Sequence, residues 1–113
     1  MNLPNAERAT VPERKITHYL LNPAHPVGGS KAAFFLRFGF TATRWTQMAE
    51  ALIRHARQNE VSSTEATARG IRYAVDGALL APDGTVLNVR AAWFIDSGST
   101  VPRFITAHPL PKL

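Results

Sequence analysis

Two groups of residues have types and spacing suited to chemistry. The first is His25-Pro26-Val27-Gly28-Gly29-Ser30-Lys31. Pro26 biases His25 toward extended backbone, Gly28 and Gly29 permit close backbone approach, and Ser30 predicts an N-cap for a helix beginning at Lys31. Unpaired N–H groups at a helix N-terminus favour an anion. Lys31 adds a full positive charge in the first turn, against the sense of the macrodipole, so its position points to the holding of an anion with Gly28, Gly29 and Ser30 as the cradle. The spacing is not that of a phosphate-binding P-loop. An ordinary turn followed by a surface lysine is the competing reading.

The second group comes from strand alternation. Ile71, Tyr73 and Val75 alternate with Arg72, Ala74 and Asp76; Leu87, Val89, Ala91, Trp93 and Ile95 alternate with Asn88, Arg90 and Ala92; Ile105 and Ala107 alternate with Phe104, Thr106 and His108. Covering the apolar face with helices leaves Arg72, Asn88, Arg90, Thr106 and His108 projecting together. Arginine supplies forked donors for phosphate, threonine a hydroxyl, and histidine a group that moves protons near neutral pH. A plain wetted sheet face is the alternative, and a slip of one residue in register would exchange the two faces.

The elements that must position these groups read as helices first and strands after. Residues 1–11 form an irregular lead-in. Pro12 and Glu13 open a short helix to about Leu21, with Ile16, Tyr19 and Leu20 as its apolar face, and Asn22-Pro23 stops it. Ala32 to Phe38 form a second, very apolar helix ending at Gly39, with Phe34, Phe35 and Phe38 expected in the core. Thr43 predicts the cap of a third helix to about Asn59, with Trp45, Met48, Leu52, Ile53 and Ala56 on one stripe and Arg44, Arg54, His55 and Arg57 on its remaining surface. Strands follow over Val61–Ala68, around Ile71–Val75, over Val86–Ile95 and over Arg103–Pro109, with a tight turn at Pro82-Asp83-Gly84. The expected class is α+β: about three N-terminal helices on one face of a four-stranded antiparallel meander.

Composition bounds the function. At 113 residues, with 45% hydrophobic and 19% charged residues, the chain is expected to fold as a single domain over residues 1–113. Thirteen Lys and Arg against eight Asp and Glu leave a net charge of +5, which favours a polyanionic partner such as RNA or an acidic protein. With no cysteine there is no disulfide, no thiol chemistry and no cysteine-ligated zinc, in keeping with a reducing cytoplasm. Met1–Glu7 lacks the apolar core of a signal peptide, and no apolar run reaches the length of a membrane span, so a cytoplasmic chain without membrane association is expected. No His and carboxylate spacing suggests a metal, no Gly-x-Ser-x-Gly elbow a hydrolase, and no Gly-x-Gly-x-x-Gly a dinucleotide, so no cofactor is expected.

The order Leu3-Pro4-Asn5-Ala6, His25-Pro26-x-Gly28-Gly29-x-Lys31-Ala32-x-Phe34-Phe35, Gly39-Phe40, Trp93 and Pro102-Arg103-x-x-Thr106-Ala107-x-Pro109 resembles a family of small bacterial proteins whose domain carries an unknown-function label. His108 and Ser30 depart from that pattern, which more usually has Tyr and His at these places. More distantly, helices followed by an antiparallel sheet ending in Thr-x-x-Pro look like the superfamily of metal-independent ribonucleases that includes barnase, EndoU, colicin D and RelE. That resemblance implies attack of an RNA 2′-hydroxyl on its adjacent phosphate. His25 or His108 would exchange protons, Lys31 and Arg90 would stabilise charge, and Thr106 would orient a non-bridging oxygen. It also implies a toxin restrained by an acidic antitoxin or immunity-type partner. A non-catalytic basic module that binds an acidic protein is the alternative, and gathering of His25, Lys31, Arg90 and Thr106 in one cleft would favour catalysis.

Overall fold

The computed structural model describes residues 1–112. After a 3-10 turn at Ala6–Arg8, three longer helical segments lead into a four-stranded antiparallel sheet, the expected α+β arrangement. The first of these three is one α turn, Glu13–Lys15 (α1), that runs into a π-helical turn, Ile16–Leu20. Helix α2 spans Gly29–Arg37 and α3 spans Trp45–Gln58. The strands are β1 (Val61–Thr67), β2 (Gly70–Leu80), β3 (Val86–Asp96) and β4 (Arg103–Pro109), and their spatial order equals their chain order. The hairpin from β2 to β3 closes at Pro82-Asp83-Gly84, where Gly84 takes φ of 90° and the Thr85 N–H donates to the Asp83 carboxylate at 2.9 Å.

Cross-strand pairing sets the faces. Tyr73 opposes Trp93, Val75 opposes Ala91 and Leu79 opposes Leu87, and all six are buried. They join Ile16, Leu20, Phe35, Phe40, Met48 and Leu52 in one hydrophobic cluster. Of the three phenylalanines expected in the core, Phe35 is buried, whereas Phe34 and Phe38 are half-buried on its rim. A β-bulge changes β4: Ala92 pairs with Thr106 but Trp93 pairs with Phe104, so Ile105 is the extra residue. The bulge buries Phe104 and leaves Ile105 half-buried, reversing the expected roles of that pair. Thr106 and His108 keep the expected face.

The lead-in is more ordered than its sequence implies. Leu3 and Ala6 are buried, Asn5 takes a left-handed φ of 55° and its side-chain amide donates to the Thr100 carbonyl at 2.8 Å. Thr10 then bridges Arg103 in parallel, exchanging 2.9 Å hydrogen bonds with Pro102 and Phe104. The N-terminal segment thus straps along the start of β4 and delivers α1 to that edge, where Lys15 Nζ donates to the Ile105 carbonyl at 3.1 Å.

Three local expectations need correction. Ser30 is not the N-cap of α2: Gly28 occupies that place and Ser30 is an exposed residue of the first turn. Thr43 does not cap α3, which starts after Arg44, while Thr41 Oγ1 accepts the Arg44 N–H at 3.3 Å. His55 is not on the surface. It is 1% exposed, and its Nε2 donates to the carbonyls of Val89 at 2.9 Å and Gly77 at 3.2 Å. A continuous 3.6-residue stripe of α3 brings His55 to the sheet beside Leu52 and Ala56, and two carbonyls satisfy its N–H there.

Candidate active site

Lys31, Tyr19 and Thr106 form one hydrogen-bonded cluster at the β4 edge of the sheet. Lys31 Nζ donates to Tyr19 Oη at 2.9 Å and to Thr106 Oγ1 at 3.2 Å, and the two hydroxyls are 2.8 Å apart. Three elements supply them: the π turn, the first turn of α2, and β4. The π turn is confirmed by a 2.8 Å bond from the Leu21 N–H to the Ile16 carbonyl, five residues back. A π turn widens the helix and shifts side-chain directions; here it buries Ile16 and Leu20 while Tyr19, half-buried, sends its hydroxyl to Thr106.

The loop glycines are points of close backbone packing beside this cluster. A Cβ on Gly28 would stand 2.9 Å from Tyr19 Cε1, and one on Gly29 would stand 2.6 Å from the Pro23 carbonyl oxygen. The loop folds against the Tyr19 ring and needs both positions bare. His25 meets the same ring edge-on, with centroids 5.0 Å apart.

The two loop-and-strand histidines are fixed in opposite senses. His25 Nδ1 lies 3.0 Å from the N–H groups of both Val27 and Gly28, so it accepts and the neutral ring carries its hydrogen on Nε2. His108 Nδ1 lies 3.1 Å from the Pro109 carbonyl, which can only accept, so Nδ1 carries a hydrogen and the neutral tautomer has its lone pair on Nε2.

Electrostatics separate the cations. Burial alone would raise the ionisation of the Tyr19 hydroxyl, but hydrogen bonds from Lys31 and Thr106 and the charges of Lys31 and Lys15 outweigh it and hold the group below its ordinary value. Arg90 grips Asp76 through two hydrogen bonds of 2.7 and 2.8 Å, which hold the Asp76 carboxyl below the usual carboxylate range against the effect of burial. Arg103 grips Asp96 in the same way. These are the two ion pairs among the described residues, and Arg72 takes part in neither.

A depression of about 290 Å³ on the open face adjoins the cluster, lined among others by Arg72, Arg90, Thr106 and His108. Thr106 belongs to both. Of the residues singled out from sequence, Lys31 and Thr106 touch, His25 stands behind Tyr19, and Arg72, Arg90 and His108 share the depression with Thr106. Asn88 lies apart, its amide donating to the Pro111 carbonyl at 2.7 Å. Tyr19 and Lys15 were missed. The one available signal was a hydroxyl on an otherwise apolar helix face, next to Ile16 and Leu20. Among the described residues no group of three His, Asp or Glu side chains stands close enough to hold a metal ion, and no helix is long and apolar enough to cross a membrane.

Among solved structures, the fold is similar to that of a chain titled "Contact-dependent growth inhibition toxin - immunity protein complex from Klebsiella pneumoniae 342". The TM-score is 0.69 at 14% identity, covering 90% of this chain and 100% of that one, which is a likeness of fold. No curated protein matches the sequence significantly. Residues 2–111 match the model of DUF6883, a domain of unknown function, and the chain belongs to that family.

Proposed function

We propose that this chain is a metal-independent ribonuclease acting as a toxin, restrained by an acidic immunity-type protein. The observation that carries the reading is Lys31 Nζ held by both the Tyr19 and Thr106 hydroxyls at the rim of a basic depression. The fold shared with a chain of a toxin–immunity complex supports the toxin setting, though that likeness serves either member of such a pair. The hydroxyl cluster is what favours the enzyme.

In the proposed reaction His108 Nε2 takes the proton of an RNA 2′-hydroxyl, and the 2′-oxygen attacks the adjacent phosphorus. The charge gathered on the phosphorane meets the Lys31 ammonium and the Thr106 hydroxyl, which are held together by packing and need little rearrangement, while His25 acts from behind by bracing the Tyr19 ring. The bond from phosphorus to the 5′-oxygen breaks, and that oxygen takes the Tyr19 hydroxyl proton. The products are a 2′,3′-cyclic phosphate and a 5′-hydroxyl. Solvent returns the proton from His108 to Tyr19. The lowered ionisation of Tyr19 makes it a better acid for this step.

The test is incubation of the purified chain and its Lys31→Ala variant, matched by thermal melt, with mixed RNA in excess chelator, followed by identification of product ends. Cyclic phosphate from the parent and its loss in the variant support the reading. No cleavage across varied RNAs would transfer the protein to the class of binding modules, and equal cleavage by both proteins would remove Lys31 from the mechanism.

A further inference from the structure

The open face of the sheet is not evenly wetted; it carries a trough one residue wide. Ser63 opposes Ala74, Ala74 opposes Ala92, and Ala92 opposes Thr106, so the smallest side chains of the face form one row across all four strands. The next row to one side holds Glu65 opposite Arg72, and the next to the other side holds Asp76 opposite Arg90 and Arg90 opposite His108. These longer side chains wall the row, and the small residues together with Glu65, Arg72, Arg90 and His108 line the 290 Å³ depression. With neighbouring strands ~4.8 Å apart, the row runs ~14 Å from β1 to β4, and the walls rise ~7 Å along the strands to either side.

We propose that this row is the path of a single polynucleotide strand, lying across the β-strands and leading to the cluster at Thr106. The inference rests on the ribonuclease reading for the chemistry at its end, but the path itself concerns binding alone. The floor is apolar, with Ala74 half-buried and Ala92 at 4% exposure sunk between the longer side chains, which suits the face of an unpaired base and offers no hydrogen-bond pattern for reading its edge. Arg72, in no ion pair among the described residues, and Arg90, tied back by Asp76, stand in the walls along which the phosphates of such a strand would run. A single strand can lay an unpaired base face on such a floor, whereas a duplex keeps its base faces stacked inside. Thr106 ends the row, so a strand seated on Ala74 and Ala92 brings its next phosphate to Lys31 and Tyr19. An acidic peptide would find the same two arginines but no use for an apolar floor.

The experiment uses a fluorescent single-stranded 2′-deoxy oligonucleotide, which lacks the attacking hydroxyl and so reports binding without cleavage. Ala74→Leu and Ser63→Leu fill the trough from two strands, and both variants are first matched to the parent by thermal melt. Each is expected to weaken binding about tenfold, the contribution of roughly one seated base, while a hairpin duplex binds the parent more weakly than the single strand. Equal affinity of parent and filled variants, or preference for the duplex, would overturn the path. So would an acidic peptide that binds, is displaced by filling, and is not displaced by the oligonucleotide. Binding in the trough without any cleavage of RNA in the separate assay would sink the ribonuclease reading alone, and RNA cleavage indifferent to the filled trough would sink the path alone.

Discussion

Gly28 lies so close to Tyr19 that a Cβ on it would stand 2.9 Å from the ring carbon Cε1. The backbone at Gly28 has φ of −93°, which any residue adopts, so the demand for glycine comes from the ring and not from conformation. Gly28→Ala should push the ring aside and separate the Tyr19 hydroxyl from Lys31 and Thr106. A displacement of that kind costs on the order of a hundredfold in rate where groups act by position. Cleavage assays on Gly28→Ala and Tyr19→Phe should show similar losses with the fold retained. An unchanged rate in Gly28→Ala would show that this contact does not position the hydroxyl.

Tyr19 should ionise below the ordinary tyrosine value of about 10. Burial opposes this and the hydrogen bond from Lys31 drives it, so Lys31→Ala should move the ionisation upward. The phenolate absorbance of the parent minus that of Tyr19→Phe isolates the group from Tyr73. For an acid with a lowered folded-state value, the linked stability is fully present above the unfolded value of about 10 and is lost as pH falls through the folded value. A difference titration at or above 10 would contradict the geometry of the cluster.

Much of this arrangement was legible in the sequence, and the misses have local causes. Period-2 alternation marked the sheet and its faces because the large apolar side chains of β2 and β3 are buried on one side, as Tyr73 opposite Trp93 shows, while on the other side the only buried side chain is that of the small Ala92. The bulge at Ile105 was illegible because the signal for one extra residue is a pairing partner, not a local pattern. Tyr19 was missed because a helical stripe of Ile16, Tyr19 and Leu20 reads as core at 3.6 residues per turn, and only the π turn sends the hydroxyl elsewhere. His55 was misplaced among surface residues because its two carbonyl partners come from β2 and β3, far along the chain. Lys31 was found because its charge opposes the helix dipole, an inconsistency visible without any partner.

The buried His55 should make the fold sensitive to mild acid. Burial holds its ionisation below the ordinary value, and the carbonyls of Val89 and Gly77 and the charge of Asp76 only partly oppose that effect. Because the unfolded chain takes the proton first, stability is full above about pH 6.5 and falls as pH drops below it, by up to about 1.4 kcal/mol per pH unit until the folded value is reached. Denaturant midpoints of the parent and of His55→Gln, compared between pH 7.5 and 5, should show a steeper loss for the parent. Parallel losses would mean that His55 takes up its proton without leaving the core.

Burial also ranks the phenylalanines of α2. Phe35 is fully buried between the helices and Phe40, whereas Phe34 is half-buried at the rim. Phe35→Ala and Trp93→Ala should each cost about 3–5 kcal/mol by denaturant unfolding, a large share of a small domain's stability. Phe34→Ala should cost clearly less. Equal costs for the two phenylalanines would contradict the packing of α2.

Charge reversal should separate the open sheet face from the α3 surface. Arg90 already shares its charge with Asp76, so Arg90→Glu places two carboxylates face to face and disturbs folding as well as binding. Arg72 is the cleaner probe, since it walls the depression and takes part in no ion pair among the described residues. If it meets a phosphate, Arg72→Glu should weaken binding of single-stranded RNA and flatten the logarithmic salt dependence by about one unit, the share of one released counterion. Arg54 and Arg57 also carry exposed charge, but they lie on α3, away from Lys31 and Thr106. Reversing both should lower affinity less than Arg72→Glu alone and leave the products unchanged. A larger effect from the α3 pair, measured by anisotropy across a salt series, would move the binding surface from the sheet to the helix.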